Sequence, residues 1–354
     1  MANTHNTLQL IADILSFEDN QDRLQNKLSS NNDLDDLVIN GSKHLTLPAI
    51  YCRLSSKNLL SYLPLELQNY LEELTIINRN RNTSILLQLR HIITLFNEHR
   101  INYALLKGSA LLYANFYKDI GTRMIGDIDI LVHPEHLETA YSLLKKEAYI
   151  PIESTFGDDF FEHKHLPRLK HDTYICAVEI HRKILSKEVK EYLNPIIALK
   201  SKLKVNDSFI LCYKDLFHHS ILNSEINDQG YMLNTINFRS IYDTLLITNR
   251  LNAPLNLSKY QKSYLAKASI YFKAFRKFKT SKHQRFLSYS YKLKQQYTLL
   301  HKISHIWHKT RNFCFTILHR LLIFTTNSSY RKAAIKDRKR LTNIIFKKIL
   351  PFYR

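Results

Sequence analysis

Two aspartates, Asp127 and Asp129, lie inside an apolar run of the sequence, Asp-Ile-Asp-Ile-Leu-Val. Alternate residues of a β-strand point to the same face, so we expect both carboxylates on one face and Ile128 and Ile130 on the other. Buried carboxylates are costly unless they are paired, hydrogen-bonded or bound to a cation. Two carboxylates within a few ångströms of each other therefore predict a site for a divalent metal ion.

A third acid and a short turn accompany this pair. Glu179 lies in a second half-apolar run, residues 174–180, two residues before His181. Upstream, Lys107-Gly108-Ser109 follows a short apolar run and precedes residues with helical spacing. A strand that turns into a helix in this way exposes backbone N–H groups, where a phosphate can bind. Each feature alone is commonly just a turn, a surface charge or an ion pair. Their combination in this order along the chain is what indicates a catalytic site.

Hydrophobic spacing predicts the elements that must position these residues. Residues 1–95 have helical periodicity and predict a helical N-terminal cap. Residues 96–186 alternate short apolar runs with helical segments, which predicts an α/β core. Helical spacing returns in residues 187–250, which we expect to pack on the core, and continues through residues 251–354. The expected fold class is α+β, with a small sheet flanked by N-terminal and C-terminal helical regions.

The net charge of +20 is concentrated at the C-terminal end. Residues 251–354 contain 24 lysines and arginines and a single acid, Asp337, whereas the preceding residues are slightly acidic. This basic region predicts binding to nucleic acid, contact with an anionic membrane or another polyanionic partner, or a merely solvated helical face. The sequence pattern contains no recognisable nucleic-acid-binding motif that would decide among them.

Composition argues against several classes of protein. The four cysteines have no CxxC spacing, which predicts free thiols in a reducing compartment and neither a zinc site nor a disulfide framework. No zinc pattern is matched by His163, His165, His171 and His181. The first twenty residues lack the apolar core of a secretory signal, and no apolar stretch reaches about 18 residues. We therefore expect a cytoplasmic protein without a transmembrane segment.

The chemistry-bearing residues resemble the signature of the DNA polymerase β-type nucleotidyltransferase superfamily. That signature is a hydrophobic residue followed by Gly and then Gly or Ser, a spacer, Asp-hydrophobic-Asp, and an acid on a later strand. More narrowly, residues 106–110 and 123–132 resemble a bacterial family of uncharacterised nucleotidyltransferases, whose pattern is K-G-small-small, an Arg and D-I-D-L-L-V. Glu179-Ile180-His181 resembles the acid-hydrophobic-His that follows, with Glu where Asp is usual. The specific resemblance covers roughly residues 100–183.

This resemblance implies the small mixed β-sheet of that superfamily and a two-metal transfer of NMP from an NTP to an acceptor, with release of pyrophosphate. The implied cofactor is Mg²⁺ or Mn²⁺. The expected catalytic and metal-binding residues are Asp127, Asp129 and Glu179. The expected nucleotide-binding residues are Lys107, Gly108, Ser109 and Arg123, and His181 is a candidate substrate contact. Within this set, Glu179 is expected to complete a metal site or to act as a base.

The acceptor stays open at this point. A sugar phosphate, an antibiotic-like hydroxyl, a protein hydroxyl and an RNA end are all compatible with the motifs. Two alternative functions also stay open. One is a catalytically silent module that binds nucleotides or polyanions, and the other is a toxin-like transferase acting on tRNA, which the basic region motivates.

Overall fold

The computed structural model describes residues 4–18, 20–30, 34–152, 163–186, 193–251, 255–340 and 342–343. The chain divides into two compact units. The first comprises the residues up to Ile152 together with Lys164–Thr298, and the second contains the helices that follow from Leu299.

Helices form the N-terminal part of the first unit, as the periodicity predicts. They are α1 (Thr4–Leu15), α2 (Gln21–Ser30), α3 (Leu34–Lys43), α4 (Leu47–Ser56) and α5 (Leu65–Glu98). With 34 residues, α5 is about 50 Å long at 1.5 Å per residue. It packs against α4 and against a short 3₁₀ turn, Ile120–Thr122.

A seven-stranded mixed sheet lies in the same unit. Its strands are β1 (Tyr103–Leu105), β2 (Asp127–Val132), β3 (Ile150–Pro151), β4 (Leu169–Lys170), β5 (Ala177–His181), β6 (Leu203–Val205) and β7 (Ser208–Ile210). Their spatial order is β3-β4-β5-β2-β1-β7-β6. The β2–β5 and β1–β7 pairs are parallel, and the remaining pairs are antiparallel. The predicted fold class, a small mixed sheet with flanking helices, is confirmed.

The remaining helices of the first unit are α6 (Lys107–Tyr113), α7 (Leu137–Lys146), α8 (Pro195–Lys200), α9 (Tyr213–Leu222), α10 (Gly230–Leu233), α11 (Phe238–Thr248), α12 (Lys259–Tyr271) and α13 (Lys282–Gln296). The second unit contains α14 (Thr298–Thr326, starting at the boundary) and α15 (Ser328–Lys336). Within the described residues, no helix combines the length and the apolar character that crossing a membrane requires.

The structure corrects the sequence prediction in residues 187–250, which the spacing presents as helical. This region also contains the hairpin β6–β7, and Ile210 of β7 pairs with Leu105 of β1. Each strand of the hairpin has only three residues, and polar Lys204, Asn206 and Asp207 interrupt the apolar positions. In so short a run, the alternation of apolar and polar residues that marks a strand cannot be recognised. The division into four segments with boundaries at 95, 186 and 250 stays a prediction.

Candidate active site

The parallel pairing of β2 with β5 brings the three predicted acids together. In this register Asp129 lies directly opposite Glu179, while Asp127 lies two residues earlier on the same face of β2. Asp129 and Glu179 are only 5% and 6% exposed, and Asp127 is half-buried. His181 follows Glu179 by two residues and is fully buried. The register of two strands therefore collects three carboxylates and an imidazole on one face of the sheet.

The His181 ring links the two buried acids. Its Nε2 lies 2.9 Å from Asp129 Oδ1 and 3.2 Å from Glu179 Oε2, and since carboxylate oxygens only accept, Nε2–H is the donor. The other ring nitrogen, Nδ1, lies 3.3 Å from the carbonyl oxygen of Lys183. One potential ligand atom from each of Asp129, Glu179 and His181 lies within 4.8 Å of the others. These three side chains form a buried cluster that can hold a metal ion.

Lys107 places a positive charge on this cluster. It is the first residue of α6, and its φ of 48° is in the left-handed region that a side-chain-bearing residue seldom adopts. The backbone N–H of Leu106 donates to the carbonyl of Asp129 at 2.9 Å, which ties the turn to β2. The Lys107 ammonium pairs with Asp129 Oδ1 and lies 4.0 Å from Glu179 Oε2. The turn therefore positions the Lys107 ammonium next to the carboxylates of Asp129 and Glu179.

Arg168 is a site residue that sequence reasoning missed. Its Nε donates to Glu179 Oε1 at 2.8 Å, and its Nη2 donates to Asp127 Oδ2 at 2.5 Å. The Arg168 guanidinium thus bridges Asp127 and Glu179, whereas the Lys107 ammonium pairs mainly with Asp129. Arg168 immediately precedes β4, which pairs with β5. In the sequence it is one basic residue in a polar, histidine-rich segment, and only the β4–β5 pairing indicates where it points.

The charges around the acids shift their pKa values in opposite directions. Burial alone would raise the pKa of Asp129, but the hydrogen bond from His181 and the Lys107 ammonium outweigh it and lower the pKa well below its ordinary value. The pKa of Glu179 is also lowered, because His181 and nearby cations outweigh burial. The pKa of Asp127 is raised, since burial and the charges of the other two acids exceed the effect of Arg168. Asp129 and Glu179 are therefore the firmly ionised members.

Ser109 is held in the turn by hydrogen bonds to the backbone. Its side chain is fully buried, its Oγ donates to the carbonyl of Leu106 at 2.8 Å, and it accepts from the backbone N–H of Asp129 at 3.3 Å. In this geometry the hydroxyl closes the turn and fixes it to β2, and its predicted contact with a nucleotide stays a prediction.

The backbone of Gly108, in the turn, packs directly against the Arg123 guanidinium. A Cβ atom at Gly108 would overlap the Arg123 guanidinium, so the close approach requires glycine. Arg123 donates from Nη2 to Asp243 Oδ2 at 2.8 Å and from Nε at 3.0 Å, and this partner on α11 also accepts from the Tyr117 hydroxyl. Although burial opposes it, Asp243 raises the pKa of Arg123 further. In this geometry Arg123 supports the turn from below, and its predicted contact with a nucleotide stays a prediction.

Polar side chains of α5 hold the spacer between the turn and β2. Asn78 Nδ2 donates to the carbonyl of Gly121 at 2.6 Å, and Asn82 Nδ2 donates to the carbonyls of Ile120 and Arg123, the latter at 2.8 Å. Both asparagines are buried. The long spacer is therefore fixed on the face of one helix, and it brings Asp127 to the site in a defined position.

His219 on α9 lies within electrostatic range of the cluster. Its side chain is 1% exposed, and its Nε2 has no hydrogen-bond partner within the part of the chain that is described. Burial and then the charges of Lys107 and His181 lower its pKa to about 3. Buried polar atoms are normally hydrogen-bonded, so this nitrogen is a candidate contact for a group that binds at the cluster.

The sequence model of one protein family, described as an uncharacterised nucleotidyltransferase, matches residues 30–268. This match spans more than half of the chain and includes every residue of the site described above. The chain belongs to this nucleotidyltransferase family. The comparison with curated proteins found no match.

Membership of the nucleotidyltransferase family confirms the resemblance found in the sequence and supports a transferase role with a nucleotide substrate. The matched range ends within α12, so most of the basic C-terminal region lies outside it. The family therefore accounts for the acidic cluster and its supports, and the basic helices beyond residue 268 need a separate explanation.

Proposed function

We propose that this nucleotidyltransferase moves a nucleoside monophosphate from an NTP to an acceptor and releases pyrophosphate, in a cytoplasmic setting and with Mg²⁺ or Mn²⁺. The observation that carries the proposal is the buried cluster of Asp129, Glu179 and His181, set by the register of two parallel strands within the matched range. Buried carboxylates of this kind are expensive to keep, and a cation-dependent reaction is a reason to keep them.

The donor set fits the proposed ions. Asp127, Asp129 and Glu179 supply carboxylate oxygens, which Mg²⁺ and Mn²⁺ prefer, and His181 supplies an imidazole nitrogen. Donation from Nδ1–H to the Lys183 carbonyl would fix the ring, and Nε2, without its hydrogen, would then bind the ion instead of donating to the acids, an arrangement common for metal-binding histidines. Bound ions would neutralise the triphosphate and make the acceptor oxygen a better nucleophile.

The chain's own residues would act as follows. The acceptor oxygen forms a bond to the α-phosphorus, and the bond from that phosphorus to the bridging oxygen breaks, so pyrophosphate leaves with the electron pair. Glu179, ionised and next to His181, would accept the proton of the acceptor. Lys107 and Arg168, which neutralise the acids in the observed geometry, would transfer their contacts to phosphate oxygens. Backbone N–H groups at Gly108 would support the phosphates.

Label transfer tests this proposal directly. The protein is incubated with each α-³²P-labelled NTP, Mg²⁺ and a cell extract, and the labelled species is identified. We expect Asp129→Ala to lower transfer by about 10²-fold or more, and the exposed-acid control Asp172→Ala to leave it unchanged. Transfer that survives Asp129→Ala undiminished would refute the assignment.

One observation favours a second candidate, a silent module that binds nucleotides or polyanions. Lys107, Arg168 and His181 each pair with at least one of the three acids, as they would in a site that only binds. For such a module, Asp127→Asn would leave nucleotide binding intact, and no NTP would give labelled product with any extract. For the transferase, the same substitution would abolish labelling.

A further inference from the structure

The long helix α14 of the second unit exposes most of its apolar side chains. None of its 29 residues is buried, and Trp307 is 65% exposed. Nine large apolar residues of this helix are exposed: Leu299, Leu300, Ile303, Ile306, Trp307, Phe315, Leu318, Leu321 and Leu322. Contiguous exposed apolar surface of this extent marks an interaction site.

Most of the large apolar residues of α14 are gathered on one side of the helix. At 100° per residue, ten of the large apolar residues fall within an arc of about 140°, which also contains Thr310, Cys314 and Thr325 but no charged residue. The ten residues are Leu299, Leu300, Ile303, Ile306, Trp307, Phe313, Ile317, Leu318, Leu321 and Phe324. The rest of the circumference holds every lysine, arginine and histidine of the helix, including Lys302, Lys309 and Arg320, but it also holds Phe315, Leu322 and Ile323. No Asp or Glu occurs anywhere in the helix.

The charge pattern argues against a second copy of the chain as the partner. Packing two α14 helices together would bury their apolar sides, but it would also bring two basic helices together without a single acid to pair with them. Beyond α14 the chain adds Arg331, Lys332 and the basic run 336–340, in which Asp337 is the only acid. The partner that complements these helices is anionic.

The apolar pattern argues against nucleic acid. Phosphates would pair with the basic side chains, and bases stack on aromatic side chains. However, of the nine exposed apolar residues only Trp307 and Phe315 are aromatic, and the other seven are leucine or isoleucine. A nucleic acid has no aliphatic surface that removes these side chains from water. An anionic lipid bilayer has both an acyl layer and negative head groups.

We propose that α14 is an interfacial helix that binds the surface of an anionic membrane. It would lie in the plane of the bilayer with its apolar side toward the acyl chains and Trp307 at head-group level. Lys302 and Lys309 would meet the negative head groups, and the basic run 336–340 would add to this attraction. At about 43 Å the helix is long, but its basic side chains exclude a spanning orientation.

Trp307 makes the test specific, because it is the only tryptophan in the chain. Its fluorescence is recorded for the full-length protein with vesicles of phosphatidylcholine alone and with vesicles that also contain phosphatidylglycerol. We expect a blue shift, and quenching by brominated acyl chains, with the anionic vesicles only. Equal responses to neutral and anionic vesicles, or no quenching by the brominated lipid, would overturn the proposal.

A matched pair of variants identifies the surface. Leu318→Glu combined with Leu321→Glu places acids on the apolar side, and both positions are exposed, so folding should be retained. We expect vesicle affinity to fall by about ten-fold or more. The control Leu87→Glu, at a position 57% exposed on α5, should bind as the parent does. An unchanged affinity of the double variant overturns the proposal, as does a blue shift produced by an RNA oligonucleotide or by raising protein concentration without lipid.

Discussion

Replacing Asp243 with alanine removes the partner of the Arg123 guanidinium beneath the turn. The two side chains are only 10% and 8% exposed, and Arg123 donates from both Nε and Nη2. Breaking a buried ion pair from one side costs about 3–5 kcal/mol, because the remaining charge is left in a site without water. Whole domains are stable by about 5–15 kcal/mol, so this loss is a large fraction. The Tyr117 hydroxyl also loses its acceptor.

Urea denaturation followed by far-UV circular dichroism measures this cost as a change in the free energy of unfolding. The surface control Asp172→Ala should change it by less than about 0.5 kcal/mol. The paired replacement Arg123→Met with Asp243→Leu should recover most of the stability, since it leaves no buried charge behind. If Asp243→Ala costs no more than the control, or if the paired replacement is as unstable as Asp243→Ala, the supporting role of the pair is refuted.

The same variants test whether Arg123 contacts the nucleotide. If its role is only to support the turn, the paired replacement should retain label transfer along with stability. A stable but inactive double variant would instead favour the predicted contact between the Arg123 guanidinium and the nucleotide. Stability and transfer are therefore measured on the same preparations.

Further predictions concern three other positions. Arg168→Gln should raise the affinity for Mn²⁺, measured by electron paramagnetic resonance, because the guanidinium competes with the ion for two carboxylates. Since the Arg168 side chain is 41% exposed, we expect a gain of about five-fold. A lower affinity would contradict this competition. His219 has a pKa of about 3 in the folded chain against its ordinary 6.5, so the unfolded chain binds the extra proton between these values and stability falls as pH decreases from 6.5 toward 3. His219→Gln should flatten that part of the curve of unfolding free energy against pH, and an unaltered slope would count against it. Gly108→Ala should lower the free energy of unfolding by about 1–3 kcal/mol, because the new Cβ overlaps Arg123, and by much less in an Arg123→Met background. Equal losses in the two backgrounds would show that the overlap is not the cause.

The acidic cluster was predictable because it depends on local rules. Alternation within a strand places Asp127 and Asp129 on one face, and an acid with a similar apolar context, Glu179, suggests the neighbouring strand. The family resemblance was confirmed, and the helices of the N-terminal part follow from their periodicity. The metal and nucleotide roles of the site residues stay predictions.

What sequence reasoning missed depends on pairing between distant segments. Asp243 is 120 residues from Arg123 in the chain, and nothing in the spacing of either residue indicates the other. Arg168 reaches the acids only because β4 pairs with β5. The Ser109 hydroxyl accepts a hydrogen bond from the backbone N–H of Asp129, 20 residues along the chain, and the sequence pattern gives no sign of this contact. Tertiary contacts decided each case.

The asparagines of α5 have a consequence for how this family can vary. The spacer backbone is bound by Asn78 and Asn82 through its carbonyl oxygens, which fixes its length and path, and the side chains of Tyr117 and Arg123 are held by Asp243 in addition. An insertion between Ser109 and Asp127 would pull those carbonyls out of register with the helix. We therefore expect relatives to keep the spacer length constant, and to change it only together with the amide-bearing positions of the helix. Evolution at this site would then proceed in linked steps across two segments that are distant in the chain.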